Sequence, residues 1–466
     1  MMLLVEAPPS YEPERRYALD VVLSEWLGLE WRLRVDDRRD GMRITLEGDC
    51  ASGCLVIPDG LFATDPCDWL EDASLPRSPL PWRPGPGQRL PVLYGADPAS
   101  PTLLADDGEG LRLGVDVFGS AFFMLTRYEE VVVPTRDTYG RFPASASIAG
   151  REGFLGRPIV DAYVELLWTA LRRLWPRLER KPPALRLSLT HDVDDPLAFL
   201  GRSGAGLARQ LAADALVRRD LPLAARRVRS WDARRRADYR FDPHNTFDFL
   251  MDVSERHGVV SAFNFLATRD ADALDGFYSL GHPWIRSLMS TIHARGHELG
   301  FHAGFRTYRD AARTEEEFRR LRTVADALGI VQDRWGGRQH YLRWEAPGTW
   351  SNWERAGLDY DSTVGFAERV GFRLGTCHEF PTFHLRERRP LRLRERPLHV
   401  MDRSLFDYMG LTPDAALEAV LGLARACHAT GGTLTLLWHN STLLTARQRQ
   451  WYEAMVAAMA HASSSS

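Results

Sequence analysis

A chain of 466 residues exceeds what one hydrophobic core usually serves, so two domains are expected. With 44% hydrophobic and 26% charged residues and a formal net charge of −3, the composition is globular and lacks the basic footprint of bulk nucleic-acid binding. Five cysteines are too few for a disulfide framework, and no apolar run reaches membrane-spanning length. The opening "MMLLVEAPPSYEPERR" has no signal-peptide core, so a cytoplasmic protein is expected. Cys50, Cys54 and Cys67 have no second pair at zinc spacing and read as structural.

Residues 1–180 read as a smaller α/β (α+β) domain of unknown role. "RYALDVVLSEWLG" (16–28) has helical spacing and a glycine stop, and "MRITLEGD" (42–49) and "GCLVIPDG" (53–60) read as strands. Residues 76–102, rich in proline and glycine, predict a long surface connection. "DAYVELLWTALRRLWPRL" (161–178) is an amphipathic helix, and the prolines of "PRLERKPPA" (176–184) mark a boundary.

From 181 the pattern alternates strand and helix. Strands are predicted at "LRLSLT", "VVSAFNFLA", "HELGFH", near "HYLRW", at "LDYDST" and at "TLTLLWH", with helices between them. Repeated units of this kind predict a parallel sheet or barrel with functional groups at the C-terminal strand ends. All fourteen histidines lie at or beyond His191, so histidine chemistry belongs to this part.

Three strand ends carry that chemistry: "THDVDD", "GFH" and "LWHN". Asp192, Asp194 and Asp195 within four residues repel one another unless a divalent cation or an arginine network compensates them. His302 and His439 end two other strands, and a carboxylate with imidazoles suits zinc or a similar ion. One aspartate before Pro196 also suits a helix start. In "HARGHELGFH", Gly296 is expected to end the helix between His293 and His297. His302 is then the better ligand and His297 a structural, hydrogen-bonded histidine.

Together "LTHDVDD", "RGHELGFH" and "LLWHN" resemble the NodB-homology polysaccharide deacetylases, carbohydrate esterase family 4. Longer phrases, among them "FFMLTRYEEVVVPTRDTYGRFPASAS", "RQHYLRW" and "GLDYDSTVGFAERVGFRLGTC", are similar to a bacterial WbmS-like subgroup linked to surface-polysaccharide gene clusters. The resemblance implies a distorted (β/α) barrel acting as a metal-dependent, zinc-class hydrolase that removes an acetyl or formyl group from an N-acylated sugar. It implies Asp192 as general base, Asp194 and His302 as metal ligands, His439 as general acid, and Arg343 as the arginine orienting the base. Where the family has a further histidine, this chain has Arg306. The third ligand must come from elsewhere, with His340 or Asp195 as candidates, or the arginine itself neutralises the carboxylates.

Trp438 beside His439, Arg306 and Asp195 are expected to contact substrate, a glycan free or carried on a nucleotide or lipid. His378 and Glu379 of "CHEF" are expected near the same rim. Residues 201–240 hold eleven arginines and read as a solvated helical pair balanced by Asp214, Asp220, Asp232 and Asp238. Contact with a phosphate-bearing sugar donor, lipid-linked glycan or anionic membrane face is the alternative. Rival functions are a metal-independent amidase, a glycan-binding protein on the same fold, and a two-carboxylate glycoside hydrolase.

Overall fold

The computed structural model describes the chain except residues 49–52, 86, 96–101, 107, 109, 183–184, 201–203, 269–273, 277 and 465–466; Cys50 therefore lies outside the described residues. In chain order the first strands are β1 Met2–Ala7, β2 Glu30–Val35, β3 Gly41–Leu46, β4 Cys54–Pro58, β5 Trp82–Gly85, β6 Gln88–Pro91, β7 Leu104–Asp106 and β8 Gly110–Leu113. Six of them form a mixed sheet in the order β2-β1-β3-β4-β8-β7, while β5 and β6 pair as a separate hairpin. That hairpin sits inside the stretch expected to be irregular, where proline and glycine masked the strand signal. The opening apolar residues form β1, which lies between β2 and β3, and the expected first helix spans Glu12–Leu19 and continues, with wider turns, to Trp26. Gly28, at φ +70°, turns the chain out of it.

The second sheet contains β9 Arg186–Val193, β10 Ala262–Leu266, β11 Glu298–Ala303, β12 Gly336–Gln339, β13 Tyr360–Asp361, β14 Phe380–His384, β15 Arg389–Glu395, β16 Val400–Met401 and β17 Thr433–Leu437. Their order is β14-β15-β13-β12-β11-β10-β9-β17-β16, with every neighbouring pair parallel except β14 and β15. Among the described residues the edge strands β14 and β16 do not pair with each other, so the barrel is open. In a flat sheet β9 and β12 would lie about 14 Å apart, three strand spacings. His340 after β12 nevertheless comes within 3.6 Å of Asp194 after β9, which requires the sheet to curl.

The strand expected near "HYLRW" is instead "GGRQ", directly before it. Its glycines are steric necessities: a Cβ on Gly337 would lie 1.9 Å from the Phe301 carbonyl oxygen. Asp195 and Pro196 start no helix. Residues 194–200 are bends and turns, and the Asp242 carboxylate accepts from the Ala198 N–H.

The two sheets share one continuous hydrophobic core running from Leu3 to Met459. Charges are also paired across the junction. Glu130 is fully buried between Arg127 (2.7 Å) and Arg373 (2.6 Å), while Arg388 meets Glu14 (2.7 Å) and Arg394 meets Glu25 (2.7 Å).

Candidate metal and hydrolytic site

The C-terminal ends of β9, β11, β12, β16 and β17 converge on one cleft of about 390 Å³. Asp192, the penultimate residue of β9, is 2% exposed. Its Oδ1 accepts from Arg338 Nη1 (2.9 Å) and Asn264 Nδ2 (2.7 Å), which leaves Oδ2 toward the cleft. Burial acts to raise the Asp192 pKa, but Arg338, His302 and His439 overcome it and hold the carboxyl below its ordinary value. Arg338 is itself fixed by Ser362, through the carbonyl at 2.8 Å and the hydroxyl at 2.9 Å. A side chain at position 300 would block Asn264: a Cβ there would lie 1.9 Å from Asn264 Oδ1.

Asp194, His302 and His340 bring one donor atom each within 4.8 Å of one another. His302 Nδ1 lies 2.9 Å from the Arg338 carbonyl, which can only accept, so Nδ1 carries a proton and the ring turns Nε2 toward Asp194. That Nε2 sits 3.0 Å from Asp194 Oδ1, and neither atom has a hydrogen-bond partner among the described residues. A ring nitrogen and a carboxylate oxygen at this distance call for positive charge between them, whether a proton or a metal ion. His340 Nδ1 is held by Asp275 at 3.1 Å, and its Nε2 points at Asp194 (3.6 Å). A carboxylate fixing the far nitrogen of a ligating histidine is the usual support of such a site. Burial works to lower the His340 pKa, yet Asp194 and Asp275 push it to about 10. One carboxylate, two imidazoles and orphaned donor atoms fit a zinc-class ion.

His439, after β17, donates Nδ1–H to Asp402 (2.7 Å) and aims Nε2 at Asp194 Oδ2 (3.5 Å). Asp402, after β16, also accepts from the His439 N–H (3.0 Å) and the Thr442 hydroxyl (2.7 Å). Burial opposes the charged imidazolium, but Asp402 and then Asp194 and Asp192 raise its pKa to about 9, so it is a proton donor at neutral pH.

Several expected residues stand elsewhere. Arg343 does not meet Asp192: it donates to the carbonyls of Tyr139 (2.6 Å) and Phe305 (2.8 Å), and packs on the Phe305 and Tyr308 rings. The arginine on Asp192 is Arg338, hidden from sequence reading in a four-residue strand without an apolar run. Trp438 is buried among Phe406, Trp451 and Tyr452 and does not line the cleft. Arg306 is exposed on the loop after β11, also outside the lining. Asp195 does line the cleft. His297 accepts from the Ser261 N–H (3.1 Å), consistent with a structural role. His378 and Glu379 lie far from this rim, in a second cleft with Arg186 at the start of β9.

Asn264, a polar residue inside the apolar run "SAFNFLA", was the available signal that sequence reading passed over. Asp275 and Asp402, on a loop and beside a two-residue strand, gave none. The first sheet's half also contributes Arg141, whose Nη1 donates to the Tyr341 carbonyl (3.1 Å) at the cleft wall. Tyr341, next to His340, adopts φ +62°.

Residues 3–176, less than half the chain, match a family of unknown function, DUF7033. No curated protein matches the sequence. Similar solved structures include a probable polysaccharide deacetylase from Pseudomonas aeruginosa PAO1 (13% identity, 67% of this chain and 90% of that chain, TM-score 0.38). Others are a family 4 carbohydrate esterase from Streptomyces lividans (11%, 60% and 87%, 0.28) and BA3943, a CE4-family pseudoenzyme from Bacillus anthracis (10%, 60% and 65%, 0.31). At such identities and TM-scores these likenesses decide nothing about chemistry, which rests on the side chains described above.

Proposed function

We propose that the chain is a metal-dependent hydrolase that removes an N-acyl group, acetyl or formyl, from a sugar used in cell-surface polysaccharide biosynthesis. The observation carrying this reading is the pair of orphaned atoms, His302 Nε2 and Asp194 Oδ1, beside His340 and flanked by a base on one side and an acid on the other. The sugar and its setting rest on the sequence phrases that resemble the family and its WbmS-like subgroup.

In this reading Asp194, His302 and His340 hold the cation, which when bound polarises an acyl carbonyl and acidifies water. Asp192 Oδ2 takes the proton of the attacking water, with Arg338 and Asn264 keeping Oδ1 occupied and the carboxylate ionised. His439 gives a proton from Nε2 to the departing amine, and Asp402 holds the ring in the tautomer this requires. Asp195 faces substrate from the cleft lining.

The test is metal content together with acyl release from N-acetylated and N-formylated amino sugars. Stoichiometric zinc-class metal, and release of acetate or formate that stops on chelation, are expected. Protein that binds no such ion sinks the metalloenzyme. A second reading, a metal-independent amidase, has its own observation: His340 and Arg338 lie against Asp194 (3.6 Å) and Asp192 (2.9 Å) and could balance both carboxylates without a metal. Acyl release that survives chelation would favour it, and glycosidic cleavage with the acyl group retained would favour the two-carboxylate alternative.

A further inference from the structure

The segment between β9 and β10 folds into a helical hairpin that the hydrolytic site does not need. One helix, Gly204–Ala212, continues with wider turns to Arg218, and a second spans Leu221–Ala233. Residues 201–240 contain eleven arginines against four aspartates, with no lysine or glutamate, in a chain whose net charge is −3. Two of those aspartates are spent inside the hairpin. Asp214 is buried against Arg227 (2.6 Å), and Asp220 caps the second helix by accepting from the Leu223 N–H (2.9 Å).

The other two, Asp232 and Asp238, pair with Arg236 (3.4 Å) and Arg240 (2.9 Å), and the rest of the outer surface is both basic and apolar. Arg209, Arg219, Arg229 and Arg235 are exposed. So are Leu216, Leu221 and Val228, at 77%, 67% and 51%. These are three of the nine large exposed apolar side chains among the described residues, gathered within thirteen positions. Leu221, Ala225 and Val228 recur at i, i+4 and i+7, one stripe along the second helix, and Leu216 joins them across the turn. A merely solvated pair has no reason to expose leucines at its tip. Apolar side chains between arginines are what an interfacial helix presents to anionic headgroups, its long cations reaching the phosphates.

We propose that this hairpin is a docking surface for an anionic lipid bilayer, with Leu216, Leu221 and Val228 entering the headgroup boundary and the exposed arginines pairing with lipid phosphates. The hairpin lies beside the cleft: Arg209, Gln210 and Arg227 line a recess with Asp195 and Arg403, and both of the latter also line the candidate site. A docked chain therefore holds its cleft next to the membrane. If the hydrolase reading holds, the acyl sugar it meets there is carried on a lipid; the docking itself does not depend on that reading.

The test is co-sedimentation of the full chain with phosphatidylcholine vesicles, with and without phosphatidylglycerol. Partition into the anionic vesicles only is expected, weakening with salt. Leu216→Asp with Leu221→Asp should lower it by about tenfold, and Arg219→Glu with Arg235→Glu by at least as much. Melting temperature and metal content should stay unchanged in both variants, since these side chains are exposed and outside the cleft. Three outcomes overturn the proposal: no partition into anionic vesicles, equal partition into neutral ones, or binding indifferent to the leucine pair. Retention on an immobilised polyanion without vesicle binding would assign the surface to another partner and overturn it equally. Hydrolysis of a soluble substrate separates this failure from failure of the proposed function.

Discussion

The two ends of the parallel sheet each hold a charged cleft, of about 390 and 370 Å³, and they differ in how their charges are satisfied. At the N-terminal end Glu379 is gripped by Arg334 (3.0 Å), Arg394 (2.6 Å) and Arg396 (2.8 Å). Burial works against its charge, but Arg396 and Arg334 bring its pKa down to about 2. This end even has a ligand-like trio, Asp161, Cys377 and His378. There, however, Asp161 already accepts from the Thr376 hydroxyl (2.5 Å), the Cys377 N–H (2.9 Å) and the Cys377 thiol (3.1 Å). The C-terminal end leaves His302 Nε2 and Asp194 Oδ1 facing each other unpartnered. A cleft full of charge is thus no site by itself; donor atoms left unsatisfied within it are what invite a ligand.

The largest expected contrast is metal content. His302→Ala should leave the purified chain without zinc-class metal by elemental analysis, whereas Glu379→Gln should bind as much as the unaltered chain. Asp192→Asn should retain its metal yet lose acyl release by about 10²- to 10⁴-fold, the range of a positioned general base. Equal loss of metal would make Asp192 a ligand instead. Asp275→Asn weakens the support of His340, while its amide oxygen can still accept from the Phe305 N–H, so calorimetric metal affinity should fall about 10- to 100-fold.

Glu379→Gln, silent at the site, should cost about 1–2 kcal/mol of stability by denaturant unfolding, because three guanidinium groups lose their shared partner. The smallest effect is one of pH. Glu129 is buried, and despite Arg127 and Arg151 its pKa rises from 4.5 to about 7. The folded state then holds this proton more tightly than the unfolded chain. Its stabilising contribution is full below about 4.5, declines as pH rises to about 7 and is flat beyond. Glu129→Gln should flatten that part of the stability–pH curve measured by thermal melting.

The sequence made the site's corners visible where charge interrupts an apolar strand, as in "LSLTHDVDD", "HELGFH" and "TLTLLWH". Period and composition report on such strands directly. The support behind the corners was not legible. Arg338 lies in "GGRQ", a strand made possible by close backbone approach rather than by apolar side chains, and Asp402 follows a strand of two residues. The edge hairpin β14–β15 was missed because its strands carry prolines and arginines that read as loop. Arg343 was mistaken for Arg338 because both flank His340 in sequence. Only the turn after Gln339, with left-handed Tyr341 and Leu342, sends Arg343 away from Asp192.

The ion pairs across the junction bear on where the chain can be divided. Arg373, Arg388 and Arg394 of the second half each depend on a carboxylate of the first, Glu130, Glu14 and Glu25. Arg141 reaches over to steady the wall beside His340. The second half alone would therefore leave Arg388 without its carboxylate, Arg373 and Arg394 each short of one partner, and the site wall without Arg141. A break in the chain near residue 181 would separate groups that the folded molecule holds together as one unit.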